Sequence, residues 1–271
     1  NHIPNPENPE AMASICQRVK ESGSDLGIIF DTDVDRSAAV TGNGEPISRN
    51  AIVALAAALE APNHPGGTVV TDSITSNELH TFLEEELGLR HLRFKRGYRN
   101  VINKAISLKE DGEDAFLAIE TSGHAAYSDN YYLDDGAYLA CLVVAAAAKL
   151  KQEGKDIQAL IEKLEAPAEA QEFRMKLDSK NFVEIGTSIL EGMPEWVEAT
   201  EGLSLEEPNY EGFRVNFDLS GSTGWFLLRK SLHDPVLPLN VESREDGGIQ
   251  KVLPLLKEYL SKFEGIDISV L

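Results

Sequence analysis

An α/β fold followed by a smaller α+β segment is what these 271 residues predict, on three observations. Between residues 47 and 166 helical and strand-like patterns alternate, which builds a partly parallel sheet covered by helices. The apolar run Leu26-Gly27-Ile28-Ile29-Phe30 ends at once in a dense acidic loop, as a buried strand does when it delivers polar groups to a sheet edge. From 167 onward strand patterns outnumber helical ones.

Taken in order, residues 1–9 form an extended lead-in rich in Pro and Asn. Asn8 can cap a helix in which Pro9 takes the first position, and Met12, Ile15, Cys16 and Val19 then fall on one face. The strand at 26–30 and the acidic loop follow, then a short strand at 37–40. Asn43-Gly44 signals a turn that, with Pro46, closes the first segment. Next come a helix at 49–60, a strand at 68–71, a helix at 76–87, a short strand at 92–94 and a helix at 100–110. A strand at 116–119 delivers Glu120-Thr121-Ser122-Gly123-His124 at its end, the place where open α/β sheets bind ligands. Asp134-Asp135-Gly136 opens an alanine-rich helix expected to be buried, since its apolar run, 137–150, falls short of the about 20 residues that span a bilayer. After a charged connection at 162–172, strands are expected at 172–177, 213–218, 225–229 and 237–243, with helices at 182–190 and 248–263. No internal repeat interrupts this order.

The bulk properties restrict what such a fold can do. A 42% hydrophobic content supplies a core for one large or two ordinary domains. The formal charge of −20 argues against nucleic acid or an anionic membrane as partner, so any anion site must be built from local Arg, Lys or helix N-termini. Cys16 and Cys141 are the only cysteines, which fits a reducing interior: an intracellular soluble protein of cytoplasm or organelle stroma. The start, Asn1-His2-Ile3-Pro4, is neither a signal peptide nor an initiating methionine, so the chain reads as a piece of something longer.

Chemistry concentrates at Asp31-Thr32-Asp33-Val34-Asp35-Arg36, three carboxylates on alternate residues followed by a guanidinium. Carboxylates packed this closely repel one another and lose hydration, which a hard divalent cation such as Mg2+ relieves. Arg36 beside them is suited to gripping a phosphate through two parallel hydrogen bonds. An EF-hand is excluded, because Arg36 and Gly42 stand where that loop needs Gly and Glu. A phosphatase loop of the haloacid-dehalogenase type, with Asp31 as nucleophile, and a plain solvated acidic turn stay open on the residues alone. Glu120 likewise reads either as a functional carboxylate or as a cap or lysine partner. His124 reads as functional or as a satisfied core histidine, and Lys95, Arg96 and Arg99 as substrate contacts or a solvated basic rim.

Three motifs in one order bear on these readings. The chain resembles the later portion of the α-D-phosphohexomutases, the family of phosphomannomutase, phosphoglucomutase and phosphoglucosamine mutase. Asp31–Arg36 is similar to the family's metal loop Asp-Gly-Asp-Gly-Asp-Arg. Ile119-Glu120-Thr121-Ser122-Gly123-His124 resembles its sugar loop Gly-Glu-x-Ser-Gly-His, followed by Asp134-Asp135-Gly136. Arg229-Lys230-Ser231-Leu232-His233-Asp234-Pro235 resembles its phosphate loop Arg-x-Ser-x-Thr-x-Pro. The resemblance implies that 1–46 is the C-terminal end of the family's second domain, 47–166 its sugar-binding third domain and 167–271 its smaller α+β phosphate-binding fourth. The first domain, with the serine that carries the phosphoryl group, would lie outside the chain, leaving this piece alone inactive.

The same resemblance implies reversible transfer between the 1- and 6-positions of a hexose phosphate through a hexose 1,6-bisphosphate. Asp31, Asp33 and Asp35 would hold Mg2+, and Arg36 would stabilise transferring oxygens. Glu120, Ser122, His124 and Arg99 would bind the sugar, and Arg229, Ser231 and His233 the phosphate that is not reacting. A divergent, non-catalytic sugar-phosphate-binding or regulatory paralogue is the alternative. It is motivated by Thr32 and Val34 in place of the metal loop's glycines, and by Leu232 and His233 in the phosphate loop. A β-branched residue resists positive φ, so the metal loop is expected to use ordinary dihedrals or to be reshaped.

Overall fold

The computed structural model describes residues 3–231 and 234–271, which divide into two compact units, 1–165 and 166–271. In the first unit α1 (Pro9–Ser22) begins where Asn8 Oδ1 accepts from the backbone N–H of Ala11 at 2.9 Å, with Pro9 at its first position. It packs on a three-stranded antiparallel sheet of β1 (Leu26–Phe30), β2 (Ser37–Thr41) and β3 (Pro46–Ile47). After α2 (Asn50–Glu60) come β4 (Thr68–Asp72), α3 (Asn77–Thr81), β5 (Arg90–Phe94), α4 (Tyr98–Glu110), β6 (Leu117–Ile119), β7 (Ala125–Tyr127) and α5 (Gly136–Gln152). A second sheet runs β5-β4-β6-β7, with β4 parallel to both neighbours and β7 antiparallel at one edge.

The period-two pattern explains why this sheet is covered twice. Val69, Leu117 and Ile119 share a core with residues of α2 and α5, whereas Val70 and Ala118 pack with Val101, Ala105 and Leu108 of α4. Strand ends and helix starts therefore gather at one edge, where β4 delivers Asp72, β6 delivers Glu120 and α4 begins at Gly97-Tyr98.

The second unit is a six-stranded antiparallel sheet with two helices. Its strands are β8 (Glu169–Leu177), β9 (Leu203–Leu205), β10 (Phe213–Leu219), β11 (Ser222–Leu228), β12 (Val236–Ser243) and β13 (Ile266–Asp267), in the order β13-β8-β12-β11-β10-β9. Helices α6 (Phe182–Ala199) and α7 (Ile249–Leu260) share one apolar core with Met175, Val215, Phe226, Leu239 and Val241 of the sheet. Residues of opposite parity carry polar contacts. The Arg214 guanidinium lies 3.5 Å from the centre of the Trp225 ring, and its Nε donates to Glu206 at 2.8 Å.

Several elements differ from expectation, each for a packing reason. The alanine-rich helix is only partly buried: Leu139, Ala140 and Val143 turn inward, while Val144 is 49% exposed and Cys141 is exposed. The helix expected at 182–190 continues through Pro194, because Ile189, Met193 and Val197 recur at four-residue spacing and are all buried. The helix expected at 76–87 ends in a wide turn at Phe82–Glu86, closed by the Leu87 N–H donating to Phe82 O at 3.1 Å. Strands β7, β9 and β13, of three, three and two residues, lacked a readable period in the sequence.

The junction of the two sheets in the first unit rests on a glycine. Ser37 N donates to Gly123 O at 3.1 Å, and a Cβ on Gly123, whose φ is +100°, would come within 2.5 Å of Ser37 O. Gly123→Ala is expected to lower the stability of the first unit by about 2–4 kcal/mol. In urea unfolding followed by residue-specific probes, the transition of residues 166–271 should stay in place.

Candidate functional site

The carboxylate loop leaves β1 and returns as β2, so its geometry is set by that hairpin. Asp31 is 5% exposed, Asp33 is exposed and Asp35 half-buried, and one oxygen of each lies within 4.8 Å of the others. The loop achieves this with Val34 in the left-handed region at φ 67°. The expectation of ordinary dihedrals is thus corrected: the loop keeps a conformation suited to glycine and carries strain of about 1–3 kcal/mol at a β-branched residue. Val34 is 39% exposed, so this backbone does not have to be reconciled with a packed core.

Arg36 closes the loop. Its backbone N–H donates to Asp31 Oδ1 at 3.2 Å and its Nε to Asp31 Oδ2 at 2.7 Å, while Nη1 lies 3.5 Å from Glu7. Burial pushes the Asp31 carboxyl up, but the hydrogen bonds from Arg36 outweigh it and hold the group below the usual range. Asp35 is relieved less. Burial first, with Asp31 and Asp134 adding to it, outweighs the charge of His124 and raises it to about 6; its Oδ1 lies 3.9 Å from Arg36 Nε and 3.8 Å from His124 Nδ1 but is buried without a hydrogen-bond partner.

A backbone bridge pairs Arg36 with His124 and brings the second loop alongside. In that loop Gly123 N donates to Glu120 O and Glu120 N to His124 O, both at 3.0 Å, which makes a tight turn. His124 Nδ1 contacts Asp134 at 2.8 Å and lies 3.8 Å from Asp35. Burial lowers the imidazole's proton affinity, but the hydrogen bond and charge of Asp134 prevail and raise it. Asp134 itself is brought in by the start of α5, where Gly136 packs so closely that a Cβ would lie 2.9 Å from Val34 O.

Glu120, 5% exposed, accepts from Gly97 N at 2.6 Å. Burial first, then the neighbouring Asp72, lift it to about 7. Asp72, 1% exposed, accepts from the Thr121 hydroxyl at 2.8 Å and from Thr121 N at 3.4 Å. The Ser122 hydroxyl is buried without a hydrogen-bond partner.

The structure thus brings Asp31, Asp33, Asp35, Arg36, Glu120, Ser122 and His124 into one cluster of two loops. Arg99 makes no hydrogen bond or ion pair with these groups: it is exposed, and its Nε donates to Tyr98 OH at 3.1 Å. In the second unit Arg229 is 8% exposed, with Nη1 3.7 Å from Glu211, and Ser231 Oγ accepts from Asp234 N at 3.2 Å. His233 and Leu232 lie outside the described residues. Sequence reasoning missed Asp72 and Tyr98, whose ring stacks on His124 with centroids 4.9 Å apart. A carboxylate ending a buried strand was the available signal for Asp72, whereas nothing local marked Tyr98.

Comparison with known proteins bears on this cluster. Residues 1–44 match the family model described as phosphoglucomutase/phosphomannomutase, alpha/beta/alpha domain II, and residues 48–167 match domain III of the same family. The chain belongs to the α-D-phosphohexomutase family. A phosphomannomutase/phosphoglucomutase of Pseudomonas putida is 28% identical over 97% of this chain and 53% of its own length. The crystal structure of a phosphoglucomutase/phosphomannomutase family protein from Burkholderia thailandensis superposes with a TM-score of 0.73 at 26% identity, over 96% of this chain and 52% of that one. N-acetylphosphoglucosamine mutase of Aspergillus fumigatus, solved with GlcNAc-6P and magnesium, shares the fold at a TM-score of 0.57 and 11% identity, over 91% of this chain and 52% of that one. The chain spans about half the length of these relatives. Among the described residues no helix is long and apolar enough to cross a membrane.

The donor set fits a hard divalent cation: three converging carboxylates, one with a buried oxygen that no hydrogen bond satisfies. Asp35→Asn is expected to stabilise the cation-free protein at pH 8, since it removes a buried charge, and to abolish the rise in melting temperature expected of the wild type with a hard divalent cation, Mg2+ being the one tested. Thermal scans with and without Mg2+ read both effects.

Glu120 predicts a pH dependence. Its folded proton affinity exceeds the unfolded one, so between about pH 4.5 and 7 the native state holds more protons. Its contribution to stability therefore falls as pH rises through that window. Glu120→Gln should match the wild type at pH 4 and exceed it at pH 8 by on the order of 1–3 kcal/mol, measured by urea unfolding.

Proposed function

We propose that this chain supplies the metal-, sugar- and phosphate-binding portion of a phosphohexomutase that interconverts hexose 1-phosphate and hexose 6-phosphate through a hexose 1,6-bisphosphate. The phosphoserine it works with lies in sequence outside these residues. Residues 1–46 carry the metal loop, 47–166 the sugar loop and 167–271 the phosphate loop. The reading is carried by one observation, the backbone pairing that sets a cation-ready carboxylate loop against a loop presenting Glu120, Ser122 and His124.

Asp31, Asp33 and Asp35 would hold Mg2+, which when bound neutralises charge on the transferring phosphoryl group. Arg36 lies at the edge of these carboxylates, placed to accompany phosphoryl oxygens as charge builds on them. Glu120 and Ser122 address ring hydroxyls. With proton affinity near neutrality, Glu120 can both accept and donate a hydrogen bond, which suits a sugar that presents its two ends in turn. His124, whose proton affinity the adjacent Asp134 raises, adds a hydrogen-bonding imidazole beside them. Arg229, Ser231 and His233 clamp the phosphate that is not reacting.

A non-catalytic sugar-phosphate-binding protein is the second reading, favoured by Leu232 and His233 where many members of the family carry Gly or Asn and Thr. Calorimetric titration of this chain with glucose 1,6-bisphosphate tests what the two readings share. Binding should strengthen with Mg2+ and weaken at least about tenfold in both Arg229→Ala and Glu120→Ala. Undiminished binding in both variants would overturn the assigned sites. Mutase activity of the full-length gene product, lost on replacing its phosphoryl-carrying serine, separates the enzyme from the paralogue.

A further inference from the structure

Two imidazoles outside the loops described above meet on the first unit. His80, in α3, and His91, the second residue of the edge strand β5, bring their Nδ1 atoms to 3.1 Å. The rings are tilted by 39° with centroids 5.3 Å apart, so the close approach is between nitrogens rather than ring faces. The far side of each ring is held by an oxygen. His91 Nε2 lies 2.8 Å from the hydroxyl of the buried Thr71, and His80 Nε2 lies 3.5 Å from Glu84 Oε2. Glu84 serves both elements, because its Oε1 also accepts from His91 N at 3.3 Å.

These oxygens favour protons on the two Nε2 atoms. Thr71 has one hydroxyl proton and donates it to Asp72 O at 3.1 Å, which leaves its oxygen to accept from His91 Nε2. The Glu84 carboxylate accepts only, so it draws the His80 proton to Nε2. Both Nδ1 lone pairs then point into one small space, where they repel until a cation lies between them. A tetrahedral ion with metal–nitrogen bonds of about 2.1 Å holds two nitrogens about 3.4 Å apart, close to the 3.1 Å observed. A second ring nitrogen anchored on an oxygen is also how metal-binding histidines are oriented. The site is open to entry, since the His80 side chain is 39% exposed, and the formal charge of −20 favours a cation there. Paired imidazoles select Zn2+, Ni2+ or Cu2+ over Mg2+, which prefers oxygen.

We infer that His80 and His91 form a second metal site, for a divalent transition-metal ion of the Zn2+, Ni2+ or Cu2+ class, bound through the two Nδ1 atoms with water in its remaining positions. It differs from the carboxylate loop in its residues and in its ligand chemistry. A bound ion ties α3 to the edge strand β5. Neither histidine has a part in the mutase reading, so the site stands or falls independently of it.

The test uses the whole chain carrying Asp35→Asn, because Asp35 belongs to both other groups of converging ligands among the described residues, Asp31-Asp33-Asp35 and Asp35-His124-Asp134. Zn2+ is titrated by calorimetry, and long-range proton–nitrogen NMR spectra of the imidazoles are recorded with and without the ion. The expected result is saturable Zn2+ binding, weakened at least about tenfold in His80→Ala and in His91→Ala, and about tenfold in Glu84→Gln, which removes only the charge behind His80. In the parent, Zn2+ should shift the Nδ1 resonances of His80 and His91 while both Nε2 atoms keep their protons. His80 is partly exposed, so His80→Ala without metal should melt close to its parent, which separates lost binding from lost folding. Absence of Zn2+ binding, or binding unchanged in both His80→Ala and His91→Ala, overturns the inference. Binding that leaves both Nδ1 resonances in place overturns it as well, since the two rings then share only a proton.

Discussion

The short main-chain seam between Arg36-Ser37 and Gly123-His124 is the interaction on which the first unit depends. It joins the end of a hairpin to the end of a strand in a different sheet, and it does so at backbone distance. Two glycines make that possible. A side chain at 123 would strike Ser37, and one at 136 would strike Val34 and Arg36, so the absence of Cβ at these positions lets three loops meet. A seam of this kind holds charged side chains at fixed separation without asking them to attract one another.

The charges are relieved by different partners. Asp31 has Arg36, His124 has Asp134, and Glu120 has the Gly97 N–H together with a tendency to keep its proton. Asp35 keeps a buried oxygen with no hydrogen bond, pressed by Asp31 and Asp134. Asp35, paired with Arg36 and His124 only at 3.9 and 3.8 Å, is less well compensated than Asp31, and a cation placed beside it reduces the repulsion it feels. The strained Val34 belongs to the same arrangement: ordinary dihedrals at this residue would redirect the loop that converges the carboxylates.

How far this was readable from sequence can be judged element by element. Helix α1, with its Asn8 cap and Pro9, and strand β1 were legible because capping chemistry and an unbroken apolar run are local signals. The end of α6, expected at 190, was not, since Gly192 and Pro194 disfavour helix locally and burial of Met193 and Val197 carries the helix past them. Strand β7, Ala-Ala-Tyr, is too short to show a period and exists because β6 pairs with it. Arg99 was expected as a sugar contact from the family resemblance, and no local signal marked its neighbour Tyr98, which stacks on His124.

By itself the sequence determined the identity and order of the chemically active loops: Asp31–Arg36, Glu120–His124 and the stretch after Arg229 carry their residue types at fixed spacing. It also determined the α/β class, because hydrophobic period is a property of neighbouring residues. Only the tertiary structure decided which buried carboxylate oxygen lacks a hydrogen bond, that Asp72 buttresses Glu120 through Thr121, and that Val34 adopts a left-handed backbone. Each of these depends on residues far apart in the chain arriving within a few ångströms. Desolvation and Coulomb interaction are set by that distance, which local sequence does not contain.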